Sequence, residues 1–190
     1  MKKYTILSFL LVGLAGCVGI EQYPTNSYSD ATFWNYEDNC MAALYLGYNQ
    51  YWSADRYFGN NLLSDDVYGS RHTTSSTETA TGLATTNGGR FSDEWKECYQ
   101  ELRTIHTALD NQDRMNIRSE VKSRLIAELR LLRAFTYMRL TAWFGDVPFL
   151  TSNPTLPESK TIKRTSADYI KQFIHSELEE VSHILPKNTA

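Results

Sequence analysis

The sequence predicts an all-α domain of four helices joined by loops of unlike length. Four segments place apolar residues at steps of three and four, which is the spacing of one helix face. We find no segment with the apolar–polar alternation of a half-buried strand. The chain has 190 residues, of which 42% are hydrophobic, enough for one domain with a core.

Residues 1–17 read MKKYTILSFLLVGLAGC, with two lysines, an apolar run and then small residues before a cysteine. This order is typical of a secretory signal, and the apolar run is too short to span a membrane. Leu14-Ala15-Gly16-Cys17 resembles the bacterial lipobox, so we expect a signal peptide at 1–16 and a lipidated Cys17 at the mature N-terminus. An ordinary signal with an incidental cysteine is the alternative. Residues 17–30 are polar and predict a tether before a helical domain at 31–190.

The first helix is predicted over residues 36–52, with Asn35 as its cap and Asp38 in a capping-box position. Residues 53–67 have apolar positions but no period, and predict irregular structure with at most one turn of helix. Residues 70–89 are rich in Ser, Thr and Gly and predict a surface loop or a loop ordered over a ligand. Ser92 is the predicted cap of the second helix.

The central helix is predicted over residues 118–144. Its apolar positions exceed a single stripe in the second half, so it should be covered on more than one side. The helix should end at Gly145, which can take a positive φ, with Pro148 unable to continue it. After an irregular segment with Pro154 and Pro157, Thr165 or Ser166 caps a last helix that ends before Pro186.

Composition and motifs limit the chemistry available. The net charge is −3 without a basic cluster, which disfavours nucleic acid as a partner. The histidines and cysteines lack metal-ligand spacing, and no motif of a hydrolase, metalloprotease or nucleotide-binding loop occurs. Cys40 and Cys98 fall on helical faces, where free core thiols are favoured over a disulfide. We therefore expect no cofactor, no metal and no catalytic residue.

Several motifs together resemble the SusD/RagB family of nutrient-binding outer-membrane lipoproteins. Residues 133–137 (RAFTY) and 143–148 (WFGDVP) resemble its hallmark helix and turn, and residues 164–169 (RTSADY) resemble a further signature. Trp95-x-x-x-Tyr99-x-x-Leu102 resembles another, although His106 stands where an asparagine is often found. A structural role is favoured for this histidine. The resemblance covers residues 17–186, and because family members are typically far longer, it implies a truncated product or a gene fragment that lacks the C-terminal part of the fold.

The resemblance implies tetratricopeptide-like antiparallel helix pairs and hallmark residues, among them Arg133, Tyr137, Gly145 and Pro148, that serve the fold. It also implies a lipid-anchored protein on the exterior of the cell outer membrane. Such a protein would bind an oligosaccharide and pass it to a TonB-dependent transporter of the SusC type.

Candidate ligand-binding residues lie outside the helix stripes, where aromatic faces and planar polar groups could hold a sugar ring. They are Tyr57, Asn60, Asp65, Asp66, Tyr68, Arg71, His72 and Arg90. Two other readings remain open. One is a helical scaffold lipoprotein that binds only protein partners. The other is a polysaccharide hydrolase using Asp65 and Asp66, although adjacent carboxylates rarely flank a glycosidic bond.

Overall fold

Helices make up nearly all the secondary structure in the computed structural model, which describes residues 30–52, 60–64, 75–85 and 89–186. In chain order they are α1 Asp30–Phe33, α2 Glu37–Tyr51, α3 Ser75–Ala80, α4 Gly89–Asp110, α5 Ser119–Phe144, α6 Leu156–Ser159 and α7 Ala167–Ser182. A 3-10 helix spans Gln112–Arg114, and two strands are β1 Val147–Pro148 and β2 Arg164–Thr165. The all-α prediction of tetratricopeptide-like helix pairs with long loops is confirmed.

The chain divides into two units, Met1–Phe33 and Trp34–Ala190, and the architecture below is that of the second. The predicted signal peptide, Cys17 and all but the last residue of the tether lie outside the described residues. They stay predictions.

Helix α5 is the centre of the second unit. Its 26 residues extend ~39 Å at the standard rise, and it packs against α2, α4 and α7. The predicted coverage on more than one side is confirmed. The leucines at its predicted core positions are buried, namely Leu125, Leu129, Leu132 and Leu140. Helices α2 and α5 approach closely at Gly47. A Cβ on this glycine would lie only 3.2 Å from Leu132 Cδ1.

The predicted end of α5 at Gly145 is confirmed, with a φ of 66°. Its ψ of −117° lies outside the left-handed helical well, in a region that side chains avoid and glycine tolerates. The chain then enters β1, which pairs antiparallel with β2 through Val147↔Thr165 and Pro148↔Arg164. The expectation of no strand was wrong for these two residue pairs, since a two-residue ladder is too short to leave an alternating pattern.

Hydroxyl groups of the buried Tyr137 and the partly buried Tyr99 attach the segment after α5 to the helices. Tyr137 Oη donates to Leu150 O at 2.7 Å and accepts from Leu150 N at 2.8 Å. Tyr99 Oη of α4 donates to Pro148 O at 2.8 Å. Burial raises the pKa of both phenols, so they remain neutral donors. Tyr137 thus has the fold-serving contacts expected of a hallmark residue.

Two of the predicted helix caps are wrong. Helix α2 begins one residue later than Asn35 can cap, and its cap residue Tyr36 makes no side-chain hydrogen bond. Helix α4 begins at Gly89, whose φ of 63° turns the chain into the helix, so Ser92 lies inside the first turn. Ser166 does cap α7, where its hydroxyl accepts from Tyr169 N at 3.4 Å.

Short helices interrupt segments predicted to be irregular. Helix α3 lies within the Ser/Thr/Gly-rich stretch, and α6 begins two residues after Pro154 and contains Pro157 in its first turn. In α6, both the amide and the hydroxyl of Thr155 donate to Glu158 Oε2 at 2.8 Å, a local capping interaction that starts one turn of helix. Cys40 and Cys98 are buried and form no disulfide, as predicted.

Candidate functional site

The predicted ligand-binding residues fall in the sequence between the end of α2 at Tyr51 and the first turn of α4, which begins at Gly89. Two of them, Asn60 and Arg90, lie in the described part of the chain, and the structure brings them together. Arg90 Nη2 donates to Asn60 Oδ1 at 2.7 Å. Six others lie outside the described residues and stay predictions, namely Tyr57, Asp65, Asp66, Tyr68, Arg71 and His72.

Arg90 belongs to a buried ion network on α4 and α5. Its Nη2 lies 2.9 Å from Glu94 Oε2, and Arg139 Nε of α5 contacts the other carboxylate oxygen. Glu94 is 0% exposed and Arg90 is 7% exposed. Most of the surface of Arg90 is therefore occupied by protein contacts, and the network fixes the beginning of α4 against α5.

An aromatic ring lies near each of the two arginines of this network. The Arg90 guanidinium lies 5.6 Å from the ring of Trp143, which meets Phe91 edge-on at 5.9 Å. The Arg139 guanidinium lies 5.9 Å from the ring of Tyr51. Such placements are favourable because the negative face of an aromatic ring attracts a cation.

Trp52 stands at the outer edge of this arrangement. It follows the last residue of α2, is 66% exposed, and meets Tyr51 edge-on at 5.1 Å. A large exposed tryptophan offers an apolar platform on which a sugar ring can stack. We name Trp52, Tyr51, Arg139, Glu94, Arg90 and Trp143 the aromatic–arginine face.

Sequence reasoning missed Trp52 because it assigned the residue to the end of the first helix, where aromatic residues default to the core. The signal that could have found it is the position of a tryptophan directly after the last buried turn and before an irregular segment. A ring at that point can extend past the helices that bury its neighbours.

Other kinds of site find little support in the described residues. No group of three or more His, Cys, Asp or Glu there could hold a metal ion. A search of the same residues finds no helix with the length and hydropathy needed to cross a membrane. The carboxylate pair of the hydrolase reading, Asp65 and Asp66, lies outside them.

His106, expected to be structural, is buried on α4 and borders a cavity at the other end of that helix. Burial, and then the positive charge of Arg133, lowers its pKa to about 4, against an opposing effect of Asp110. The imidazole is therefore neutral at pH 7. Its Nε2 has no hydrogen-bond partner within the described ranges, which is unusual for a buried structural histidine.

The known proteins that resemble this chain include several described as SusD-like. The family model described as "Starch-binding associating with outer membrane" (SusD-like) matches residues 37–190. SusD-like protein P2 of Formosa agariphila is 25% identical over 98% of this chain and 39% of its own length. A SusD-like carbohydrate-binding protein of Bacteroides fragilis superposes with a TM-score of 0.73 at 25% identity, over 84% of this chain and 33% of that one.

Surface glycan-binding protein A of Bacteroides thetaiotaomicron, solved in complex with laminarihexaose, shares the fold. Its TM-score is 0.62 at 18% identity, over 80% of this chain and 34% of that one. The chain thus spans about a third of the length of these proteins, and the described helices correspond to that part of their fold.

Proposed function

Because the chain belongs to the SusD-like family, we propose that it is a non-catalytic surface lipoprotein that binds a nutrient oligosaccharide. In this proposal Cys17 carries the lipid anchor on the outer membrane, and the bound glycan passes to a partner TonB-dependent transporter of the SusC type. The observation that carries the proposal is the family match over residues 37–190.

The similar proteins support a glycan as the nutrient. One is named a carbohydrate-binding protein, and another was solved with laminarihexaose bound. Since this chain spans about a third of each, their ligands are a guide to the class of compound to test. A β-glucan oligosaccharide such as laminarihexaose, and starch, are the first probes.

The aromatic–arginine face supplies a place for binding. Trp52 would stack on one sugar ring, and the buried network of Arg90, Glu94 and Arg139 would hold the surface beneath it rigid. The predicted loop residues Tyr57, Asn60, Asp65, Asp66, Tyr68, Arg71 and His72 would then contact further rings and hydroxyls. In this arrangement Arg90 acts mainly by positioning Asn60.

A binding measurement on Trp52→Ala tests the site. We expect the variant to bind laminarihexaose or starch about tenfold more weakly in calorimetry or affinity electrophoresis, because stacking of a sugar ring on an exposed aromatic ring contributes on the order of 1 kcal/mol. Tyr36→Ala is the matched control, since Tyr36 is 61% exposed at the opposite end of α2, ~24 Å along the helix axis. The control should bind as the wild type does.

Loop variants extend the test to residues that the structure does not describe. Tyr68→Ala and Arg71→Ala should also weaken binding of the same glycan. Wild-type binding by Trp52→Ala and by both loop variants would contradict the proposed site.

The two competing readings give different results in the same experiments. A scaffold that binds only proteins would show no affinity for any glycan while still associating with partner proteins in detergent extracts. A hydrolase would release reducing sugars from the polysaccharide, and release that disappears in an Asp65→Asn, Asp66→Asn double variant would favour it. Recovery of a TonB-dependent transporter with the affinity-tagged protein from its native outer membrane tests the proposed delivery step.

A further inference from the structure

A cavity with a volume of about 530 Å³ lies between the C-terminal half of α4 and the segment that follows β1. This volume is in the range of small-molecule sites. One wall contains Tyr99, Leu102 and His106 of α4, and the other contains Leu150, Asn153 and Leu156. The aromatic–arginine face shares no residue with this lining.

The apolar part of the lining presents faces without competing polar atoms. The Tyr99 hydroxyl is already bound to Pro148 O, so the tyrosine offers its ring to the cavity. Leu102 and Leu150 contribute aliphatic surface, and Leu156 is 83% exposed at the border of the cavity. A ring with C–H groups on its face would find apolar contacts here.

The polar part contains two planar groups, each with a polar atom that has no hydrogen-bond partner among the described residues. His106 is 1% exposed, and its neutral imidazole leaves Nε2 without a partner among the described residues. Asn153 Nδ2 donates to Thr107 Oγ1 at 2.9 Å and to Arg103 O at 3.3 Å, which fixes the amide plane against α4. Asn153 Oδ1 accepts no hydrogen bond from the described residues, so it remains available to a ligand hydroxyl.

The charge of the lining favours a neutral ligand. Arg103 is exposed and is the one charged residue among those that line the cavity in the described structure. A single solvent-screened guanidinium compensates poorly for the desolvation of an anion beside Leu102 and the neutral His106. It can still donate hydrogen bonds to a hydroxyl or ring oxygen.

We propose that this cavity binds one ring of a neutral, polyhydroxylated compound, that is, a single sugar residue, at a subsite separate from the aromatic–arginine face. His106 Nε2 and Asn153 Oδ1 bond adjacent hydroxyls, and the Tyr99 ring contacts a C–H face. The argument rests on the cavity and its lining, so it does not depend on the proposed function.

Side-chain NMR of the histidines in the purified full-length chain tests the proposal, with D-glucose and laminaribiose as probes. Both probes should shift the imidazole resonances of His106 in a saturable way and leave those of the exposed His175 unchanged. D-Glucuronate, which matches glucose in ring shape but carries a charge, should bind about tenfold more weakly. Equal binding of glucuronate would overturn the preference for a neutral ring.

Two variants test the lining. His106→Leu removes the imidazole nitrogen, and Leu156→Trp narrows the cavity from an exposed position that the core does not depend on. Each should weaken laminaribiose binding about tenfold, whereas the matched surface variant His175→Leu should not. If His106→Leu does not fold, Leu156→Trp alone decides the question.

The outcome separates this proposal from the function proposed above. Loss of laminarihexaose binding in Trp52→Ala, together with no shift of His106 and no effect of Leu156→Trp, would overturn the cavity proposal and leave the function standing. A saturable shift of His106 in a chain that binds no polysaccharide would support the cavity proposal and contradict the proposed function.

Discussion

Glu177 of α7 is held by two arginines of α5. Arg133 Nη2 lies 2.6 Å from Glu177 Oε2, and Arg130 Nη2 lies 2.6 Å from Glu177 Oε1. Arg133 Nη1 also donates to Thr151 O at 3.2 Å. One carboxylate thus joins the central helix to the last helix, and Arg133 joins both to the segment after β1. This is the structural role expected for a hallmark arginine.

Glu177→Gln should lower the free energy of unfolding by about 3 kcal/mol at pH 7, since it removes the carboxylate charge that faces the buried Arg133. Arg130 keeps a second partner, the exposed Glu180. Chemical denaturation followed by circular dichroism measures the change. Glu179→Gln, on the exposed face of the same helix, is the matched control and should change stability little. An equal loss in both variants would contradict the role of the ion cluster.

The same residue sets a pH dependence. Burial raises the pKa of Glu177, but hydrogen bonds from Arg130 and Arg133 outweigh it, so the pKa lies below its ordinary value of 4.5. A carboxyl with a lowered folded-state pKa stabilises the fold fully above the unfolded-state pKa and loses that contribution as pH falls through the folded-state value. The difference in stability between wild type and Glu177→Gln should therefore narrow below about pH 4.5. A difference that stays constant to lower pH would argue against this titration.

At the scale of elements, the turn after α5 depends on one backbone conformation. Gly145 has a φ of 66° and a ψ of −117°, and nothing lies within 4 Å of a Cβ built there. The cost of a side chain would therefore come from the backbone and not from a collision with neighbours.

Gly145→Ala should reduce the free energy of unfolding by about 2 kcal/mol because alanine is strained in this conformation. Gly82→Ala provides a comparison, since Gly82 also has a positive φ of 74° and open space around a Cβ. Its effect should be smaller, because strain there disturbs only the end of the short helix α3. Thermal unfolding of both variants measures this, and an unchanged stability of Gly145→Ala would show that the turn relaxes.

Periodicity predicted the long helices well and their boundaries less well. The leucines of α5 repeat over enough turns to identify the buried face, and Gly145 gave a local reason for the end. The beginnings of α2 and α4 were missed because Asn35 and Ser92 are good caps in isolation, while the chain turns at Tyr36 and Gly89 instead. The strands and α6 arise from contacts across the turn and from one Thr–Glu interaction, which leave no period to detect.

At the scale of the whole molecule, the family resemblance and the helix patterns led to the same fold, whereas the candidate site could be predicted only in part. Asn60 and Arg90 were selected as planar polar groups outside the helix stripes, and they do form a hydrogen bond. The pairing of Arg90 and Arg139 with Glu94 joins residues of different helices, which one-dimensional spacing cannot register. Trp52 was missed because a helix pattern shows which face is buried but not how far the helix extends past its neighbours.

The proposed position of the molecule on the outer membrane depends on one residue at the predicted lipobox, Cys17. We propose that Cys17 carries several acyl chains, because a single chain gives only marginal membrane binding. Cys17→Ala should abolish incorporation of labelled palmitate and move the protein from the membrane pellet to the soluble fraction when it is expressed in a bacterium that processes lipoproteins.

Cys40→Ala is the matched control for this measurement, since Cys40 is a buried free thiol of the core. That variant should incorporate label and sediment with membranes as the wild type does. Palmitate labelling that persists in Cys17→Ala would show that the lipid is attached elsewhere, and a wild-type protein without label would show an ordinary signal peptide. Either result would contradict a lipid anchor at Cys17. Neither would affect the proposed glycan binding, which the measurements on Trp52→Ala test separately.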